Sequence, residues 1–136
     1  MKGSCACGTV RWEATPPSKF VAHCHCDHCR KAHGAAFVTY AGFPDGRFRW
    51  TAGEQALTRW STPTEAERTF CSQCGTTLTY RGPRWPEDVH VAVGTFDEPP
   101  DREPAAHVYV DHGVSWFTIA DELPQRGGAT GMEPKV

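Results

Sequence analysis

The sequence contains no apolar run near the ~20 residues that a membrane-crossing helix requires. A helical membrane protein is excluded, and no membrane partner is expected. An excess of positive charge is also missing: 14 Lys and Arg stand against 16 Asp and Glu, for a net charge of −2. Nothing draws the chain to a polyanion in general, so a nucleic-acid partner is not expected. The opening residues, MKGSCACG, hold one Lys and no apolar h-region. No secretory signal is expected, and the default setting is soluble and cytoplasmic. Internal repeats and domain-scale linkers are absent as well. The 136 residues suit one domain with its own core. That domain is expected over 1–124. The remainder, 125–136 (QRGGATGMEPKV), lacks periodicity and is expected to be a flexible tail.

Long helical patterns are lacking too. Short alternating segments occur instead, with Gly, Pro or Asp in nearly every gap. TVRWEA (9–14), KFVAHC (19–24), AAFVTYAGF (35–43), RFRW (47–50), QALTRWS (55–61) and AERTFC (66–71) read as strands. TTLTY (76–80), DVHVAVGTF (88–96), AHVYV (106–110) and VSWFTI (114–119) follow in the same manner. DHCRKAH, after Cys26, is the one good helical candidate, and EPPDREP (98–104) reads as a surface loop. The fold class is therefore mainly β, of short antiparallel strands, with one short helical turn after Cys26.

Cysteine is what the chain has in plenty: 7 in 136 residues. The count is odd and the residues are clustered, which argues against a secreted disulfide framework and for metal. Cys5-x-Cys7-Gly8 and Cys71-x-x-Cys74-Gly75 are two-ligand claws, each followed by a Gly that lets the backbone turn and aim amides at sulfur. Together they make a Cys₄ set, suited to a closed tetrahedral zinc. Cys24, Cys26 and Cys29 remain. Three protein ligands with a free fourth position is the pattern of a catalytic zinc. Two alternatives stand beside it: a neighbouring His closes the site structurally, or no second metal binds. His23 and His25 flank Cys24 and point away from it in an extended segment; His28 and His33 remain possible closers. A three-thiolate zinc is a weakened Lewis acid. It is better suited to stabilising an incoming thiol as thiolate than to making hydroxide.

Five segments carry a resemblance: GSCACGTVRWE (3–13), CHCDHCRKAHGAAF (24–37), FCSQCGTTL (70–78), VAVGTFDEP (91–99) and HVYVDHGVSWF (107–117). In this order they resemble the glutathione-dependent formaldehyde-activating enzyme (GFA) family, from Gly3 to about Pro124. The resemblance implies a β-tent type of fold, a structural zinc on Cys5, Cys7, Cys71 and Cys74, and a second zinc on Cys24, Cys26 and Cys29. It implies an enzyme that joins formaldehyde and glutathione into S-hydroxymethylglutathione, a carbon–sulfur lyase reaction read backwards, with glutathione as co-substrate. The alternative is a non-catalytic glutathione or zinc carrier. Relatives with centromere and microtubule roles also resemble this fold, but such roles call for a basic extension. Asp27 departs from the family pattern, where Ser or Thr is common. It is read as the N-cap of the short helix, or as a base beside the open site.

Arg30 and Lys31 follow the last thiolate ligand. Arg30 is a candidate to offset the site's charge or to hold a substrate carboxylate; Lys31 is read as a solvated helix face. Gly34 should turn the chain into the next strand, and Phe37 should pack in the core. His107 is a candidate proton donor or acceptor and Trp116 an apolar wall. A buried, hydrogen-bonded His and a core Trp are the plainer readings. Gly94, Thr95 and Asp97 should form a turn, with Asp97 bracing a neighbouring strand. Arg81, Arg84 and Trp85 are read as loop residues and are left out of the site.

Overall fold

The computed structural model describes residues 1–135. In chain order the elements are β1 (Lys2–Ser4), β2 (Arg11–Ala14), β3 (Phe20–Cys24), α1 (Asp27–His33), β4 (Val38–Pro44), β5 (Phe48–Ala52) and β6 (Leu57–Ser61). They continue with β7 (Glu67–Cys71), β8 (Thr77–Arg81), β9 (Asp88–Ala92), β10 (His107–Val108), β11 (Arg126–Gly127) and β12 (Glu133–Pro134). The fold is mainly β, as the alternating segments predict, and α1 covers the predicted DHCRKAH. Residues group into two compact units, 1–19 with 41–102, and 20–40 with 103 onward. Among the described residues no helix is long and apolar enough to cross a membrane.

In the first unit β1, β2 and β5 form one antiparallel sheet. Strands β9, β8, β7 and β6 form antiparallel neighbours in that order. Every residue of β9 is buried; Val89, Val91 and Ala92 are apolar, and the buried carboxylate of Asp88 is paired with Lys19 Nζ at 2.9 Å. The core gathers on Trp12, 1% exposed, whose ring lies 4.7 Å from Phe96 and 5.9 Å from Phe48. Trp12 Nε1 donates to Thr95 Oγ1 at 3.2 Å, so the buried indole N–H is satisfied. Gly3 pairs with Trp12 across β1 and β2, and a Cβ there would stand 2.2 Å from the indole and 2.4 Å from the Thr95 carbonyl oxygen. The sequence reading missed β1: three residues, one of them Gly, carry no legible period.

In the second unit β3 pairs with β10 in parallel, His23 opposite His107 and Cys24 opposite Val108. This departs from the expected antiparallel pattern; the two residues of β10 are too few to announce a direction. The predicted strand at 114–119 does not form. Tyr109, at φ 56°, takes the left-handed region just after β10, and a 3-10 turn follows at Val110–His112. No ladder is assigned to 114–119, and its Trp116 and Phe117 are exposed. The expected flexible tail contains β11 and β12, paired antiparallel. It is tied to β10 by a parallel bridge between His107 and Gln125, and to Tyr109 by Tyr109 N–H to Gly131 O at 2.9 Å.

Candidate metal centres

The first cysteine cluster stands in the first unit, where two hairpin turns meet. Cys5 and Cys7 lie in the turn from β1 to β2; Cys71 ends β7, and Cys74 lies in the turn to β8. The four Sγ atoms lie within 4.8 Å of one another. Cys5 Sγ is 3.6 Å from Cys7 Sγ, and Cys7 Sγ is 3.8 Å from Cys71 Sγ. Both claws turn on a left-handed glycine, Gly8 and Gly75, each at φ 79°. Their N–H groups bond back to Cys5 O at 3.0 Å and Cys71 O at 2.8 Å. Backbone amides also donate to sulfur, Val10 N–H to Cys5 Sγ and Gln73 N–H to Cys71 Sγ.

Two threonines belong to this centre that the sequence reading missed. Thr9 Oγ1 and Thr76 Oγ1 each lie 3.2 Å from the exposed sulfur of their claw, Cys7 and Cys74. The Thr9 hydroxyl and amide pull the Cys7 thiol below its ordinary value, and the Thr76 hydroxyl and amide pull Cys74 down to about 5. Burial pushes Cys71 the other way. The legible signal was the repeated Cys-Gly-Thr in the two claws.

The second cluster lies in the second unit. Cys24 is the last residue of β3, Cys26 caps α1, and Cys29 sits in its first turn. The three Sγ atoms lie within 4.8 Å of one another, and no His, Asp or Glu joins the group among the described residues. The expectation for Asp27 is corrected here. The N-cap is Cys26, whose Sγ accepts the Cys29 N–H at 3.3 Å, and Asp27 is the first helical residue. Gly34, at φ 60°, closes the helix as the left-handed C-cap. Contacts with the Cys26 and Cys29 thiols, added to burial, push the Cys24 thiol far above its ordinary value.

The four histidines near this cluster go elsewhere. His28 is exposed, and His33 Nε2 lies 3.2 Å from Tyr40 Oη. His23 shares the face of β3 opposite to that of Cys24, with Nδ1 2.7 Å from Thr39 Oγ1. His25 Nε2 is 2.8 Å from His107 Nδ1, and His107 Nε2 is 2.9 Å from Asp121 Oδ2. The carboxylate accepts from His107 Nε2–H, which leaves Nδ1 to accept from His25 Nε2–H. Burial, then the neighbouring His107, pushes His25 down to about 4. The hydrogen bond from His107 holds Asp121 below the usual carboxylate range. His107 is 2% exposed, and this chain occupies both its nitrogens.

Arg30 is half-buried on α1; Lys31 is exposed. Phe37 is half-buried, packing on His25 at 5.1 Å and Phe117 at 5.4 Å between ring centroids. Trp116, read as a core residue or pocket wall, is instead 73% exposed, because 114–119 has no sheet to pack against. In the first unit, Asp97 braces β1 by accepting from Ser4 Oγ at 2.8 Å, and Thr95 ends a 3-10 turn. Arg81 pairs with Asp45, and Arg84 stacks on Trp85.

Fold and site together define a mainly β protein with a four-sulfur and a three-sulfur cluster, each able to hold a metal ion. The profile of the glutathione-dependent formaldehyde-activating enzyme family matches residues 1–112. A curated protein of Halomonas elongata, provisionally named as a glutathione-dependent formaldehyde-activating enzyme, is 30% identical over 138 aligned positions. The alignment covers 93% of this chain and 85% of the relative. A crystal structure of a Rhodobacter sphaeroides protein is similar at a TM-score of 0.64 and 28% identity, over 74% of this chain and 92% of that one. The chain belongs to the glutathione-dependent formaldehyde-activating enzyme family.

Proposed function

We propose that the chain is a cytoplasmic two-zinc enzyme of carbon–sulfur lyase type, which joins glutathione or a similar thiol to formaldehyde or a similar small aldehyde. The observation that carries this is the three-sulfur cluster, which has no fourth protein donor among the described residues. Cys5, Cys7, Cys71 and Cys74 would hold a structural zinc. A tetrahedral ion with Zn–S near 2.3 Å needs sulfurs about 3.8 Å apart, and the sulfur spacings of 3.6 and 3.8 Å fit that requirement. Cys24, Cys26 and Cys29 would hold the second. When bound, this ion supplies the positive charge that keeps an incoming thiol as thiolate.

The chemistry is an addition that needs no oxidant. The thiol sulfur forms a bond to the aldehyde carbon, the C=O π bond breaks, and the sulfur's proton ends on the former carbonyl oxygen. The reverse reaction releases the aldehyde. The protein's own part is to converge three thiolates on a strand end, a helix cap and a first helical turn. His25, between two of them, is anchored through His107 to Asp121. We assign His107 to the support of that segment. None of the seven cysteines is in a disulfide, in keeping with a reducing cytoplasm.

A second reading, a glutathione or zinc carrier without turnover, is favoured by one observation: among the described residues, no His or carboxylate groups with the three sulfurs as a proton acceptor. Zinc per chain, measured before and after titration with glutathione, separates the two. Two zincs retained with bound thiol, and a rate above the uncatalysed aldehyde–thiol reaction, support the enzyme. A fall from two zincs to one without rate enhancement supports the carrier. Full activity with both zincs in Cys29→Ser would sink both.

A further inference from the structure

Arg30 follows Cys29 directly, and its backbone N–H bonds Cys26 O at 3.0 Å, so it stands one helical turn beyond Cys26 on the same side of α1. A guanidinium has five N–H donors in a fixed fork, and its Nε edge matches the two oxygens of a carboxylate. In Arg30 one donor is used. Nη2 reaches Asp27 Oδ1 at 3.3 Å, which is long for a charge-assisted hydrogen bond, usually ~2.7–2.9 Å. The same Oδ1 lies 3.4 Å from His112 Nδ1, so Asp27 is divided between two neighbours. Arg30 Nε is buried and has no hydrogen-bond partner among the described residues. A buried N–H left unmade costs its desolvation, and such a group calls for a reason.

We propose that the Arg30 guanidinium is a carboxylate-binding site beside the Cys24–Cys26–Cys29 cluster, that it selects thiols which also carry a carboxylate, and that Asp27 is the internal carboxylate such a ligand displaces. The selection of thiols rests on the proposed function; the carboxylate site rests on Arg30 alone. Asp27 holds one donor of the fork through one oxygen, and it is 54% exposed, free to swing into solvent. An arriving carboxylate takes Nη2 from Asp27 and, as the guanidinium turns outward with Asp27 gone, gives the otherwise buried Nε the partner it lacks. Lys31 does not substitute, since it is exposed and offers a point charge without a fork.

The test uses the full chain loaded with cobalt(II), whose sulfur-to-metal charge-transfer band reads thiol arrival. 3-Mercaptopropionate is compared with its neutral amide, 3-mercaptopropionamide. The wild type should bind the acid roughly tenfold more tightly, the worth of one charge-assisted pair. Arg30→Gln should abolish the preference and keep amide binding; Arg30→Lys should retain part of it. Asp27→Ser should tighten the acid severalfold and leave the amide unchanged. A second measurement needs no thiol: the Arg30 Nε–H resonance, followed by NMR, should shift on adding the thioether acid 3-(methylthio)propionate. Equal binding of acid and amide by the wild type, or an unmoved Nε–H, overturns the inference while leaving the proposed function standing. A shifted Nε–H with no thiol-induced cobalt band sinks the proposed function and keeps the carboxylate site.

Discussion

Gly3→Ala should be costly far beyond its single methyl. The new Cβ would stand 2.2 Å from Trp12 Cε2 and 2.4 Å from Thr95 O, more than 1 Å inside ordinary contact. Neither neighbour has room to yield. Trp12 is 1% exposed, packed by Phe48 and Phe96, and bonded through Nε1 to Thr95 Oγ1. Gly3 itself is held in the β1–β2 ladder and bridges to Phe96. Relief requires β1 to leave the sheet or the indole to leave its well. Overpacking usually costs about 1–3 kcal/mol, and a clash with fixed backbone places this substitution near 3. For a chain of this size that corresponds to a fall in Tm of roughly 10 °C. β1 also delivers the chain to Cys5, the residue after Ser4, so a metal ion loaded at the four-sulfur cluster should leave more readily while one at the three-sulfur cluster is unaffected. Urea unfolding of the metal-loaded protein, with zinc release followed by a colorimetric chelator, measures both effects. A change below about 0.5 kcal/mol, the range of ordinary surface substitutions, would refute the reasoning.

Three further outcomes are expected. On acidification the four-sulfur cluster should keep its metal to lower pH than the three-sulfur cluster, because two of its thiols, Cys7 and Cys74, are held low against one, Cys71, pushed up, whereas Cys24 and Cys26 are both pushed up; metal content of protein dialysed at stepped pH reads the order. In metal-free reduced protein that retains its strand signal in circular dichroism, iodoacetamide at pH 6 should label Cys74 well before Cys24, and Thr76→Val should slow it where Thr76→Ser does not. His25 is buried and neutral, with its value lowered from 6.5 to about 4. Its contribution to stability is therefore full above pH 6.5 and lost as pH falls towards 4, up to about 3 kcal/mol; unfolding midpoints at pH 7 and 4.5, compared with His25→Gln, test the sign.

Much of the site was legible because thiol chemistry is legible. Few side chains make soft ligands, and two claws with following glycines divide seven cysteines into four and three before any fold is known. The helix at 27–33 was equally plain, although its cap is Cys26 and not Asp27. The strands were found by alternation, and missed where alternation had nothing to work on: three residues in β1, two each in β11 and β12. At 114–119 apolar residues suggested a strand that the fold leaves without a ladder. Thr9 and Thr76 were overlooked because a hydroxyl beside a cysteine looks ordinary until the turn brings it to the sulfur.

By itself, then, the sequence determined the donor chemistry, the grouping of the ligands and the β character, since each depends on residue type and short-range spacing. Tertiary structure alone decided what those groups meet. It linked His25 to His107 across 82 positions and gave Asp121 to His107. It also left one buried N–H of Arg30 without a partner. Local pattern can say that an arginine follows a ligand; only the packed chain determines which of its donors are already taken, because hydrogen-bond partners are distributed by the fold and not by the order of residues.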